Sequence, residues 1–356
     1  MTAPVLEASF ALNVALLLML VVLAAAVVWT RSLLAAILLM SVYSLISATW
    51  LVVMDAPDVA FTEAVVGAGI STIIALGAIL LTRGEAVRVS WKRQVVPGLL
   101  AVLVGGLLIY AMSGLPDFGD PASPANSHVG RAYLETTKHD IGAPNVVTAV
   151  LGSYRGFDTL GETVVIFAAC LGVALMLGFG PRAAMAPPIE GLGDHHVVLR
   201  VIAKMLIPLI MLFALYVQFH GDIGAGGGFQ AGVIAAVAII LHALVFGLQE
   251  TMAAVPPHAA RAIAALGVVV YVGVGIVCIV NGGGFLDYDH LFTPQIESMI
   301  PPGLLGDPNQ PHHWGQHFGI LAIEFGVLLT VSATMITIFY GFAGRTIDAV
   351  AAGQRR

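Results

Sequence analysis

The sequence predicts an all-α, polytopic integral membrane protein, and three observations carry that prediction. Of its 356 residues, 58% are hydrophobic and only 10% are charged, where a soluble domain carries about 25% charged residues. The mean hydropathy is +0.95. Nine apolar stretches, near 7–29, 33–54, 58–82, 95–113, 160–180, 198–219, 229–249, 262–281 and 317–342, are long enough or nearly so to cross about 30 Å of hydrocarbon. The basic residues then set the orientation. With the amino terminus outside, twelve of the fifteen Lys and Arg residues fall on inside segments, and only Arg131, Lys138 and Arg155 fall outside. The expected topology is N-out and C-in.

Other classes recede on the same grounds. The first apolar run has no basic residue before it, since Glu7 is the one early charge, and it shows no clear cleavage site. The two cysteines, Cys170 and Cys278, both fall inside predicted helices, so neither a disulfide framework nor a thiolate metal site is indicated. The formal charge of −6, with basic residues confined to a fringe, points away from nucleic acid.

Residues 1–92 read as three helices with very short connections. Pro57 suits the first turn of the third, where a missing N–H costs little, and Asp58 complements the positive helix end. Glu63 lies about a turn and a half deeper, past the capping positions. Gly67 follows four residues on, offering a smooth face to a neighbouring helix. An intramembrane carboxylate is functional by default, although a Glu beside the headgroups with a solvated tip needs no role.

Residues 93–180 read as two helices separated by a long outer loop, 114–157, in which 146–151 forms a short surface helix. The stretch 145–162 leads from that loop into the fifth helix. Asp158 and Glu162 fall one turn apart on one helix face, and Arg155 is placed to pair with Asp158. Two carboxylates entering a membrane together must each be desolvated. Ion carriers accept that cost. The alternative is local: Thr159-x-x-Glu162 matches a capping box, in which Glu162 only satisfies the helix start.

Residues 181–196, with Pro181, Pro187, Pro188, Gly191 and Gly193, read as a linker. Residues 197–356 form a four-helix unit. Lys204 lies about two turns into its first helix, either on an ion path or snorkelling to the surface. Gly224 and 226–228 form a tight turn, because no Lys-Ser/Thr follows to make a phosphate loop. His242 sits deep in the next helix as a relay or a hydrogen-bonded core His. His312-His-x-x-x-His317 is not accompanied by further ligands of metal-binding type. Glu324 lies about two turns into the last helix, followed by Thr330, Ser332, Thr334 and Thr337, a polar track or a set of interhelical hydrogen bonds.

Three stretches carry a family resemblance. Ala56-Pro-Asp-Val-Ala-Phe-Thr-Glu-Ala-Val-Val-Gly-Ala-Gly69 resembles the three-helix MbhD-type segment of membrane-bound hydrogenases and Mrp-type antiporters. Tyr154-Arg-Gly-Phe-Asp-Thr-Leu-Gly-Glu162 resembles the MbhE-type segment. His220-Gly-Asp-Ile-Gly-Ala-Gly-Gly-Gly-Phe-Gln-Ala-Gly-Val233 resembles the MnhB-type subunit of the same antiporters, with Ala231 where the family often has Gly. The resemblance implies a subunit of a multisubunit Na⁺ (or other monovalent cation)/H⁺ antiporter in a prokaryotic cytoplasmic membrane. It implies no enzymatic activity, no cofactor and other membrane subunits as partners. A carboxylate in the membrane is neutralised by either a proton or a cation, so the two ions compete for it. Glu63 and Glu162 are the first candidates for that exchange, with Asp58 and Asp158 as entry groups and Lys204, His242 and Glu324 as further positions. Two alternatives stand beside this reading: a membrane-arm subunit of a hydrogenase- or complex I-like redox enzyme, and a structural adaptor with no ion path.

Overall fold

A computed structural model describes residues 3–79, 90–177, 197–297, 299 and 314–353. The expected linker 181–196 lies outside the described residues, as do His312 and His313. Among the described residues nine helices are long and apolar enough to cross a membrane, and no strand is present. We label them α1 (Ala3–Trp29), α2 (Leu33–Val53), α3 (Pro57–Ile79), α4 (Trp91–Met112), α5 (Gly156–Leu177), α6 (Val197–His220), α7 (Gly228–Phe246), α8 (Pro257–Val280) and α9 (Trp314–Gly353).

The amino-terminal helices form a hairpin with a third helix laid against α2. Trp50 on α2 donates its indole N–H to Asn13 on α1 at 3.0 Å, satisfying two polar side chains within the bilayer. The chain leaves α2 through Asp55, whose φ of 55° is left-handed. Asp tolerates this region better than most residues, and Pro57 then opens α3. That helix is not uniform. A π-helical stretch, Ala64–Ile70, begins directly after Glu63, and such stretches recur at functional sites. Ser41 of α2 donates to the carbonyl of Ala68 within it, at 3.1 Å.

The core sits around α9, which touches α5, α7 and α8. Small residues make this possible. A Cβ placed on Gly267 of α8 would strike the Gly326 carbonyl and the Thr330 hydroxyl of α9, and one on Gly232 of α7 would lie 2.9 Å from the Leu328 carbonyl. Helices this close exchange polar contacts, as Thr330 does in donating to the Ala264 carbonyl at 3.0 Å. At the opposite extreme, no residue of α4 is buried.

The long loop between α4 and α5 is largely helical. It contains Gly130–Asp140, Val146–Ala149 and a π turn, Val150–Tyr154. The short helix expected at 146–151 is therefore present, α-helical at first and π-helical from Val150, but Thr148 and Ala149 are buried rather than spread on a surface. Two fully buried tyrosines hold the entry to α5. Tyr271 of α8 donates to the Gly156 carbonyl at 2.7 Å, and Tyr288 donates to the Gly152 carbonyl at 2.8 Å.

Candidate functional site

The beginnings of α3, α5 and α7 converge beside the first third of α9, and a cavity of about 290 Å³ lies between them. Asp58, Glu162 and Glu324 line it, together with the hydroxyl residues Thr62, Thr148, Thr159 and Thr163, Gln230 and the glycines 226–228. Among the described residues no Lys or Arg lines it. The polar groups of this largely apolar cavity, which Val59, Ile166 and Val327 also line, are thus carboxylates and hydroxyls, a donor set suited to a cation or a proton rather than an anion.

Local sequence explains how each group arrives there. Asp58 follows Pro57 in the first turn of α3, where a carboxylate is favoured by the helix dipole. Asn145 caps the short helix that follows it by accepting from the Val147 N–H at 2.9 Å. Its amide N–H₂ faces Asp58 Oδ1 at 3.2 Å and the carbonyls of Gly221 and Gly224 at 3.3 and 3.0 Å. Thr148 donates to the Gly221 carbonyl as well. One asparagine therefore ties α3, the loop before α5 and the glycine turn before α7 into one wall. On the next turn of α3, the Thr62 hydroxyl accepts from the Gln230 amide of α7 at 2.7 Å.

Glu324 enters from α9, ten residues past its start, or about 15 Å along the axis. Its carboxylate lies against Gly227, where an added Cβ would be 3.0 Å from Oε1. Gly227 also has a φ of +110°, so both space and backbone conformation call for glycine there. Among the described residues Glu324 has no hydrogen-bond or ion-pair partner. A charged carboxylate in a membrane interior without a partner is costly, which leaves room for a proton or a cation.

Glu162 lines the cavity from α5, on the side where that helix is exposed. The capping-box alternative is not realised. Because α5 begins at Gly156, four residues before the expected 160, Thr159 lies inside the helix and donates to the Leu151 carbonyl at 2.9 Å.

The remaining predicted residues lie elsewhere. Glu63 is five residues past Asp58, about 140° around the helix, and does not line the cavity. It faces α2 instead: a Cβ on Gly67 would be 2.7 Å from Glu63 Oε1 and 2.5 Å from the Ser44 hydroxyl. Asp158 is exposed and paired with Arg155 at 2.6 Å. Lys204 is exposed on α6. His242 is half-buried near the far end of α7, its Nδ1 2.6 Å from the Thr251 hydroxyl and its ring 4.8 Å from that of Phe246.

Sequence reasoning missed Asn145, Gln230, Thr62 and Asp222. Asp222, in the glycine turn, pairs through Oδ2 with His317 Nδ1 at 3.1 Å, while its Oδ1 is buried without a partner among the described residues. The one signal is the composition of 220–228, whose glycines speak for a turn and give no hint of what the aspartate among them meets.

Comparisons with known proteins bear on three segments. Residues 198–337 match the family described as a domain related to the MnhB subunit of Na⁺/H⁺ antiporter, residues 18–84 match MbhD, the D subunit of MBH, and residues 93–188 match MbhE, the E subunit of MBH. A putative antiporter subunit mnhB2 of Staphylococcus haemolyticus (strain JCSC1435) is 30% identical over 42% of this chain and 96% of its own length. A probable K⁺/H⁺ antiporter A/B subunit of Rhizobium meliloti (strain 1021) is 28% identical over 75% of this chain, which spans 28% of that relative. Among solved structures, a chain of the Mrp complex from Dietzia sp. DQ12-45-1b superposes with a TM-score of 0.69 and 28% identity, covering 92% of this chain and 34% of that one. A chain of an archaeal membrane-bound sulfane sulfur reductase superposes with a TM-score of 0.51 and 28% identity, covering 69% of this chain and 96% of that one.

Proposed function

This chain belongs to the MnhB-related family of antiporter subunits, and from that premise we propose that it serves a multisubunit monovalent cation/proton antiporter in a prokaryotic cytoplasmic membrane. In this reading residues 1–92, 93–180 and 197–356 are three units joined through 181–196, with the amino terminus outside. The observation that carries the proposal is the convergence of Asp58, Glu162 and Glu324, one from each unit, on one cavity without a basic residue. Such a site exchanges a proton for a cation because each neutralises the same carboxylates. Glu63, with Ser44 beside it, forms a second polar station on the other face of α3. Transport itself belongs to the assembled complex, since the chain corresponds to about a quarter of the A/B relative.

The likeness to the sulfane sulfur reductase chain supports a second reading, in which the same carboxylates serve the membrane arm of a redox complex. The two readings share one test of this chain. Glu162→Gln, Glu324→Gln and Glu63→Gln are introduced into the whole complex, and cation-induced pH change is measured in everted vesicles. Gln keeps the volume and hydrogen bonding but carries no exchangeable proton. We expect assembled complexes that lose most exchange, about tenfold or more for Glu162 and Glu324, the size of one lost ionic interaction. Full exchange in all three assembled variants makes the chain an adaptor. Ion movement that requires an electron donor favours the redox arm.

A further inference from the structure

α6 stands at the edge of the molecule, packed mainly on α7, and most of its surface is exposed. That surface is apolar, with Val201, Met205, Leu209 and Leu212 among its exposed residues. Lys204 breaks it. The residue lies seven positions past Val197, about 10 Å along the axis, where half the hydrocarbon is about 15 Å thick. Lys204 is exposed and, among the described residues, has no hydrogen-bond or ion-pair partner. Its own helix offers none, because α6 contains no Asp or Glu, and Arg200 one turn away adds a second cation.

A second polar group lies beside it. Pro208 is four residues on, inside the helix and exposed. Proline has no N–H, so the helix does not supply the usual donor to the Lys204 carbonyl. A backbone acceptor left open to hydrocarbon is unfavourable. The lysine stem can snorkel about 6 Å toward the near end of the helix, and its Cβ points that way. The carbonyl, fixed in the backbone, cannot follow. Lys204 and Pro208 therefore sit one turn apart on one exposed face of α6, with apolar residues around them.

We propose that this face of α6 docks a transmembrane helix of another subunit, one that brings an Asp or Glu carboxylate against Lys204. A charge pair excluded from water fixes depth and register between two helices that apolar contact alone leaves free to slide. Lys204 is then an assembly residue rather than a step on the ion path. The inference rests on the multisubunit reading above.

The test uses the whole complex, purified in mild detergent through a tag on this chain, with Lys204→Met, Lys204→Arg and a photo-crosslinking residue at Met211. Met211 is two turns from Lys204 on the same face and exposed. Because position 204 is exposed, neither substitution disturbs the fold of the chain itself. We expect Lys204→Met to lower the co-purified subunits about tenfold or more, as loss of one partner of a desolvated pair does. Lys204→Arg should retain them, and the crosslink at 211 should join this chain to a single other protein of the complex. Equal recovery with Lys204→Met overturns the inference while leaving the multisubunit reading intact. A crosslink confined to lipid also overturns it, assigning Lys204 to headgroup phosphate. Recovery of the unsubstituted chain alone overturns both.

Discussion

The seam between α8 and α9 and the isolated helix α4 use the same residue type to opposite ends. At the seam, Gly267 and Gly326 let two backbones meet so closely that a Cβ on either would strike the other's carbonyl. In α4, Gly98, Gly105 and Gly106 have nothing among the described residues within 4 Å of where a Cβ would stand. Both helices are apolar enough to cross a bilayer, with mean hydropathies of 2.0 for α9 and 2.3 for α4. Yet 61% of the α9 span is buried within the chain and none of α4 is. Hydropathy therefore reports the solvent a helix tolerates. What it packs against depends on where its small residues find partners.

The largest expected effect lies at the seam. Gly267→Val places two methyl groups where the Gly326 carbonyl and Thr330 now stand, so the helices must part. Overpacking of this kind costs about 3 kcal/mol, and separation would also break the bond from Thr330 to Ala264. The folded, monodisperse fraction in detergent size-exclusion should fall sharply. A variant that elutes as the parent does would show that the seam is looser than the glycine contacts imply.

A smaller loss is expected where the loop is fastened to that seam. Tyr271→Phe and Tyr288→Phe each remove one buried hydrogen bond, to the first residue of α5 and to the turn before it, worth about 1 kcal/mol, measured as a lowered melting temperature in detergent. Tyr288, outside the membrane spans, adds a pH signature. Burial pushes its phenol well above the ordinary range, so its stabilisation is fully present below about pH 10, the unfolded value, and is lost as the pH rises beyond it. The Phe variant should lose that part of the alkaline destabilisation.

Much of this architecture is legible in the sequence, because a membrane helix announces itself by length and composition. All nine predicted spans correspond to helices. Several helices start earlier than the apolar runs suggest, among them α4, α5 and α8; at α5, Gly156–Asp158 is polar enough to resemble loop, whereas buried tyrosines from a distant segment hold it in the helix. Glu324 and Glu162 are visible as intramembrane carboxylates. Their meeting with Asp58 is not, since it depends on Asn145 bonding across 76 and 79 residues to the carbonyls of Gly221 and Gly224. Spacing does put Glu63 and Asp58 on different faces of α3, about 140° apart, but it does not tell which face meets the cavity. The glycines within 221–228 mark a turn, but the carboxylate resting on Gly227 comes from a helix about 100 residues away, and no local pattern records that.

The smallest expected effect sharpens the comparison most. Gly98→Ala and Gly105→Ala add one methyl group each to α4, where none of the described residues stands in the way. Ala favours a helix over Gly by about 1 kcal/mol in water, and less where surrounding apolar solvent already enforces the helix. In the chain purified alone, the melting temperature should stay level or rise by a degree or two, in contrast to the collapse expected from Gly267→Val. The same pair should then be measured in the assembled complex. If α4 faces only lipid, the two experiments agree, because acyl chains yield to a methyl group. If another helix sits on the glycine face at backbone distance, the complex loses subunits while the isolated chain does not. A loss confined to the complex would make α4 a second seam of the kind seen between α8 and α9, with its other half on a partner protein.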